Sequence, residues 1–367
     1  MRPREISHPT RLARGRLLLA AALLAGLASD PAPAQQARKP ETVTVLRCPL
    51  GCGISEGDTI LGSFIAKEHP WLVYQTQETP GYLYNVREVA KNDKRWKTTG
   101  FGTEDTVIQL AVHGGSPELK EFLPEPITIK WKLLFGEAWW TQGMWYVTLN
   151  SKLKSIADLK GKRLGLGLRT QSDWGMDARL FLEVAYGITP QNTDIRHLGP
   201  VQATEAMLDG KVDAVVMGAG TDPSGTNWLL AAPMRLLEAS GHKLFYIGMD
   251  REAVEKVNAK YGTTYLTITV PPGTLPQRAE PLLVGVDRGY TAAHPEFPED
   301  LAYETVKMVA RLAPRMAAVH PLWKVSSPEL MVNGLTEENA HPGAMRAYKE
   351  LGWWDLRTKF RPVTYPK

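Results

Sequence analysis

The sequence predicts a doubly wound α/β protein of two lobes with a ligand cleft between them. Residues 155–220 show this first: a helical turn, a strand, a tight loop, a long helix, a strand, a short helix and a strand follow in order. The first third of the chain repeats the same β-α-β-α plan. Between the two, MWYVTLNS (Met144–Ser151) is apolar and β-rich, then changes abruptly to KLKSIADLKGK. It reads as the strand crossing from one lobe to the other. The chain has no repeat of fixed period and no low-complexity linker, which argues against a solenoid and against loosely tethered domains.

In chain order, VTVLRC (Val43–Cys48) reads as a strand, followed by a Gly-rich turn and a helix near Asp58–Lys67. Next come a strand at LVYQTQ (Leu72–Gln77), a helix from Gly81 to about Lys91, and a strand near Thr98–Gly102. Thr103 and Glu104 fit the start of a helix that runs through Val112 and stops at Gly114 and Gly115. Strand KRLGLGL (Lys162–Leu168) ends in the polar loop RTQSD, which opens directly into another helix. Unpaired N–H groups at such a helix start, beside the carboxyl end of a strand, are where open α/β sheets bind anions. In that helix Trp174, Ala178, Phe181, Leu182 and Ala185 share one face, which predicts its burial, and Gly187 ends it. VQATEAMLDG ends at Gly210, before the strand KVDAVVMG. Beyond about residue 280 the chain is expected to be helical. FPEDLAYETVKMVARL carries Pro298, Glu299 and Asp300 at its start, where the helix dipole favours acids, and the last helix begins near Pro342 and stops before Gly352.

Five arginines precede the apolar run Leu17–Ala28, and Ala32-Pro33-Ala34 supplies an A-x-A cleavage site. Residues 1–34 are therefore expected to be an export signal. The twelve apolar residues are too few for the roughly 20 that span a bilayer, and no cysteine closes the run to take a lipid. A periplasmic product of 333 residues beginning at Gln35 is expected, with a first lobe over 35–147, a second over 148–280 and a return to the first over 281–367. The formal charge of +4 belongs largely to the signal: the remainder has 38 basic against 37 acidic residues, and no basic patch points to nucleic acid. Cys48 and Cys52 in CPLGC are the only cysteines; export favours a small disulfide between them, while a metal site would lack a nearby paired His.

Several segments together resemble the periplasmic solute receptors of TRAP transporters, in their TAXI branch. They are SIADLKGKRLGLG with Ser172, LDGKVDAVVMGAG, TVPPGTL (Thr269–Leu275), FPEDLAYETVK and the tail ENAHPGAMRAYKELG. The DLKGKR and GKVDA phrases are shared by many type II binding proteins, whereas the tail is more specific. The likeness runs from Val43 to Gly352. It departs in three turns: CPLGCGISEGDTILG stands where the family has Gly-Gly-x-Tyr-Tyr, TPGYLYN keeps Thr79, Gly81 and Asn85 but has Tyr82 where Ser is usual, and Ser172-Asp173-Trp174 replaces Ser-Gly-Thr. The resemblance implies a two-lobed type II fold that delivers a small organic anion, a carboxylate, to permease subunits driven by an ion gradient.

The candidate contacts follow from those turns and from the loop FGTED. Thr79 and Asn85, with N–H groups near Gly81, would hold a carboxylate, although Thr79 suits an N-cap equally. Arg169 is the preferred bidentate partner, with Arg47 second and a solvated loop Arg as the ordinary alternative. Ser172 is the better anion contact, and Asp173 caps or meets a ligand amine. Tyr82 and Trp140 would cover an apolar or ring-bearing part, while Trp174 lies on the buried face of its helix. Glu56 and Glu104 would take an ammonium group or cap helices.

A binding protein is the leading reading, with no cofactor or metal and as a monomer. The alternatives are the receptor of an ATP-driven importer for sulfonate- or pyrimidine-like ligands, or an enzyme on the same fold. No Ser/His/Asp set, His-rich spacing or G-x-S-x-G elbow supports catalysis, and the histidines are scattered.

Overall fold

Alternating buried and outward residues make Glu41–Leu46 a strand, β1, which opens the computed structural model. Residues 39–49, 53–140 and 145–358 are described, and the chain from Pro40 onward forms one unit. The expected signal, and with it Cys52, lies outside the described residues. After β1 come α1 (Gly53–Glu68), β2 (Leu72–Gln77), α2 (Tyr82–Lys91), β3 (Thr99–Glu104), α3 (Asp105–Ala111) and β4 (Lys132–Trp140). Then follow β5 (Tyr146–Thr148), β6 (Arg163–Leu166), α4 (Ala178–Tyr186), β7 (Asp194–His197), α5 (Pro200–Leu208) and β8 (Ala214–Val216). The chain continues with β9 (Ala219–Thr221), β10 (Trp228–Leu230), α6 (Ala232–Ala239), β11 (Phe245–Ile247), α7 (Arg251–Tyr261) and β12 (Leu266–Val270). It ends with β13 (Leu282–Ala293), α8 (Glu299–Met316), α9 (Pro328–Val332) and α10 (Pro342–Glu350).

These strands form two mixed sheets, as the α/β expectation requires. The larger has the order β10-β9-β4-β13-β3-β1-β2, with β12 added to the first half of β13. Its β1, β2 and β3 are parallel, and β13 runs antiparallel between β3 and β4. The smaller sheet is β11-β5-β8-β6-β7, with β6 parallel to both β7 and β8. The chain passes between sheets after β4, after β8, after β10 and again after β11. Strands β9, β10 and β12 hydrogen-bond into the larger sheet.

Three local readings are corrected. Residues 282–293 are not helical: they form the twelve-residue β13, whose backbone is held on both sides by β3 and β4. Thr103 and Glu104 stay in β3, since Glu104 pairs with Gly289, and the helix begins only at Asp105. The RTQSD loop does not open straight into an α-helix. Ser172–Asp177 form a π-helical turn, and regular α-helix starts at Ala178. Helices pack by their apolar faces; α8 buries Leu301, Val306, Val309, Leu312 and Met316, each such side chain contributing about 1.5–3 kcal/mol.

Candidate functional site

The carboxyl ends of β1, β2, β3 and β6 converge where the two sheets meet, and polar side chains from each end are buried there. On β13, Asp287, Gly289 and Thr291 alternate along one face, and Gly289 and Thr291 pair with Glu104 and Gly102 of β3. Gly102 is required here. A Cβ on it would lie 2.5 Å from the Tyr82 ring and 2.9 Å from Arg47 Nη1, so its missing side chain lets both lie across the sheet.

Arg47 is fully buried and is the hub of a network that holds two carboxyls. Its Nε donates to Asp58 Oδ2 at 2.6 Å, its Nη1 to Glu137, and its Nη2 to Thr291 Oγ1 at 2.8 Å. Tyr74 donates to Asp58 at 2.8 Å, Thr291 to Glu137 at 2.6 Å, and Tyr82 to Glu137 at 3.3 Å. Burial works against the charge on Arg47, but Asp58 and Glu137 outweigh it and raise its pKa well above normal. Glu137 titrates higher than usual because burial exceeds the pull of Arg47.

A second polar group lies where Glu104 of β3 meets Ser172 after β6. Ser172 donates to Glu104 Oε2 at 2.7 Å, with both side chains buried. Tyr265 donates to Asp177 Oδ1 at 2.7 Å, and Thr106 donates to Asp287 Oδ2 at 3.4 Å. The side chains of Asp177 and Asp287, 0% and 1% exposed, also hydrogen-bond to each other, as two carboxyls do when one of them keeps its proton. Burial raises the pKa of Glu104, Asp177 and Asp287 well above the carboxylate range; Asp173 raises all three further, Asp177 raises Glu104 and Asp287, and hydrogen bonds to Tyr265 and Asp287 partly lower Asp177. Asp173 is pushed up to about 6, chiefly by burial. Among the described residues, none of these four carboxyls forms an ion pair, and the nearby Arg288 is bound to Asp105 at 2.9 Å.

The residues singled out from sequence are distributed unevenly about this belt. Glu104, Ser172 and Asp173 meet in the second group, and Tyr82 reaches the first. Thr79 and Asn85 are buried but occupied: Asn85 Nδ2 donates to the carbonyls of Leu46, Arg47 and Gly102, and its Oδ1 lies 2.7 Å from Thr79 Oγ1. They tie the ends of β1 and β3 together. Thr79 does not cap α2; its N-cap is Gly81, whose N–H reaches Thr79 Oγ1 at 3.3 Å. Gly81 has φ 143°, and a Cβ there would sit 2.5 Å from the carbonyl of Thr170, so α2 presses directly on the loop after β6.

Arg169 lies outside the belt, its side chain 57% exposed and paired with Glu121. Trp174 is packed, 4% exposed, against Gly167. Trp140 ends β4 with its backbone paired to Asp287 and Gly220, and Glu56 is exposed in the first turn of α1. Cys48 is 8% exposed and not free, while the expected pairing with Cys52 falls outside the described residues. Sequence reasoning missed Glu137, Asp177, Asp287 and Tyr265. The signal for Asp287 was an acid inside the apolar run LLVGVDRGYTAA, a pattern that only a buried strand makes conspicuous.

Among solved structures, the chain is similar to the periplasmic aliphatic sulphonate binding protein SsuA from Escherichia coli, at 12% identity over 88% of this chain and 79% of that one, with a TM-score of 0.39. It is similar at 14% identity to an R. palustris protein solved with adipate, over 88% and 99% of the chains with a TM-score of 0.44. MatC from Rhodopseudomonas palustris with bound malate, also 14% identical, gives 86%, 99% and 0.44. Residues 135–352, from β4 through α10, match the NMT1-like family, and the chain belongs to it.

Proposed function

We propose that this chain is a solute receptor that closes its two lobes on a small organic molecule and hands it to a membrane permease. The observation that carries this reading is the buried bond between Glu104 of the larger sheet and Ser172 after β6, made beside the Gly81–Thr170 contact. Polar groups from both lobes meet at strand ends, so a bound solute that satisfies both sets favours the closed state.

The carboxylate ligand implied by the TAXI resemblance finds little support in the geometry. Arg47 is committed to Asp58 and Glu137, and Arg169 to Glu121 at the rim. The TVPPGTL and HPGAMRAYKELG segments favour an ion-gradient-driven permease over an ATP-driven importer. Export to the periplasm, a monomeric state and a Cys48–Cys52 disulfide belong to the same reading, and quantitative labelling of two free thiols in exported protein would remove the last. Small-angle scattering and native mass spectrometry on protein purified from its host test the receptor itself. A retained small molecule and a smaller radius of gyration with it are expected; steady conversion of that molecule to product would overturn the reading.

A further inference from the structure

We propose that residues 116–122, between α3 and β4, form an electrostatic latch across the lobe boundary, so that closure responds to ionic strength as well as to the solute. This rests on the receptor reading above and names a regulation of its closure.

The segment is a clasp fixed to the larger-sheet side. The N–H groups of Leu119 and Lys120 donate to the Ser116 carbonyl, and those of Phe122 and Leu123 to the Leu119 carbonyl, which makes two successive helical turns. Leu119, Phe122 and Leu123 are buried. Arg87 of α2 donates to the Phe122 carbonyl at 3.4 Å, and the Gly115 N–H donates to that of Leu123 at 2.7 Å. At this geometry the three-residue spacing puts Glu118 and Glu121 side by side.

Both acids reach cations of the opposite side. Glu118 pairs with Lys260 and accepts from the Tyr261 hydroxyl at 2.9 Å, at the end of α7, which packs on α4. Glu121 pairs with Arg169, in the loop after β6, and lies 3.5 Å from Arg179 of α4. Beside them the Phe122 ring meets His197 at the end of β7, with ring centroids 5.9 Å apart, and His113 Nε2 lies 3.0 Å from the Tyr261 carbonyl. One short stretch of chain thus meets the loop after β6, α4, β7 and α7 together. Burial works against ionisation of both acids, but the bonds to Lys260 and Arg169 hold their pKa values below the ordinary one, so the pairs are charged at neutral pH.

These bonds exist only while the two sides touch, so all of their free energy favours the closed form. Each pair is weak, as suits a latch that must release to admit a solute. The Lys260 and Arg169 side chains are 43% and 57% exposed, so salt reaches and screens both pairs.

Small-angle scattering of the purified protein in sodium chloride tests this, from about 0.02 M to about 0.5 M, over which the screening length falls from roughly 20 Å to roughly 4 Å. The radius of gyration should grow as salt is raised. Glu118→Gln combined with Glu121→Gln should show the larger radius already at low salt and lose the salt response, with a closed fraction lower by about two- to fivefold for each acid removed. Exchanging the charges, Glu118→Lys with Lys260→Glu, should restore part of both, which a damaged fold would not do. Lys260→Met probes the latch from the other side should the double glutamine variant misfold. A double variant with the parent's radius at every salt, in protein that retains a small molecule from its host and contracts on it, would overturn the latch and leave the receptor standing. Equal radii throughout, with no retained molecule and no contraction, would overturn both.

Discussion

Two buried polar groups lie side by side on one sheet face, and they differ in a single respect. The Arg47 hub contains a cation: one guanidinium beside two carboxyls and the hydroxyls of Tyr74, Tyr82 and Thr291. The Glu104–Asp177–Asp287 group contains acids and hydroxyls only. In the hub a guanidinium ties two acids by charge-assisted bonds, whereas the second group holds its acids by hydroxyls and by the bond between Asp177 and Asp287.

The most severe way to break this contrast is to unbalance the hub. Arg47→Ala would leave Asp58 and Glu137 buried without their partner, and the loss of one member of such a pair destabilises by about 3–5 kcal/mol. Urea denaturation of the variant should show a loss of that size. Arg47→Ala with less than about 1 kcal/mol of change would place the hub among ordinary surface ion pairs.

Gly81 sits between the two groups, at the start of α2. Alanine there meets a backbone region that is essentially glycine's, and its Cβ would also strike the carbonyl of Thr170. Strain of this kind is worth about 1–3 kcal/mol. Gly81→Ala should therefore lower the stability measured by urea denaturation by about 1–3 kcal/mol, and an unchanged midpoint would mean that the loop after β6 gives way without strain.

The acidic group also predicts a pH dependence opposite to the usual one. A carboxyl whose folded pKa is raised holds its proton more tightly when folded. Its stabilising contribution is complete below the unfolded pKa near 4 and is lost as pH rises through the folded value, by up to about 1.4 kcal/mol per unit for each group. For Asp173 the window runs from about 4 to about 6; for Glu104, Asp177 and Asp287, shifted well above the carboxylate range, it extends higher. Surface acids such as Asp213, lowered by its bonds to Arg163, act in the opposite sense, but only near and below the ordinary carboxylate range. Ligand-free protein should therefore melt at lower temperature as pH rises from 5 toward 8, and Asp287→Asn should flatten the slope. A rising melting temperature over that interval would contradict the raised pKa values and return the cluster to an ordinary hydrated state.

The sequence made legible what depends on short-range pattern. Apolar alternation and helix stops located β1, β2, β6, α2 and α4, and the strand-end turns pointed to Glu104 and Ser172. What it concealed depends on long-range pairing. The run Leu282–Ala293 reads as neither strand nor site until β3 and β4 lie on either side of it, and Asp177 lies in the π-helical turn that follows Gln171, buried against Tyr265. Thr79 and Asn85 illustrate the converse. Their residue types suit an anion, but three backbone carbonyls at the ends of β1 and β3 already occupy the Asn85 amide. Nothing local to TPGYLYN announces those partners.

The smallest effect expected is at Arg169, and it bears on the contrast from outside. From sequence it is the natural carboxylate clamp, at the end of β6 beside a helix start. In the folded chain its guanidinium is more than half exposed and paired with Glu121, itself 37% exposed, and Glu121 is also approached by Arg179 at 3.5 Å. Burial opposes ionisation of Glu121, but the two arginines still hold its pKa below the ordinary value. An exposed pair of this kind contributes about 0–1 kcal/mol, and Arg179 remains to serve Glu121 when Arg169 is removed. Arg169→Ala should thus alter affinity for the solute retained from the host by no more than about fivefold, through a slightly weaker lobe contact. The change should shrink further as salt is raised, because the pair is exposed to screening. A loss of tenfold or more that persists in high salt would put Arg169 on the ligand and restore the anion that its position in the sequence suggests.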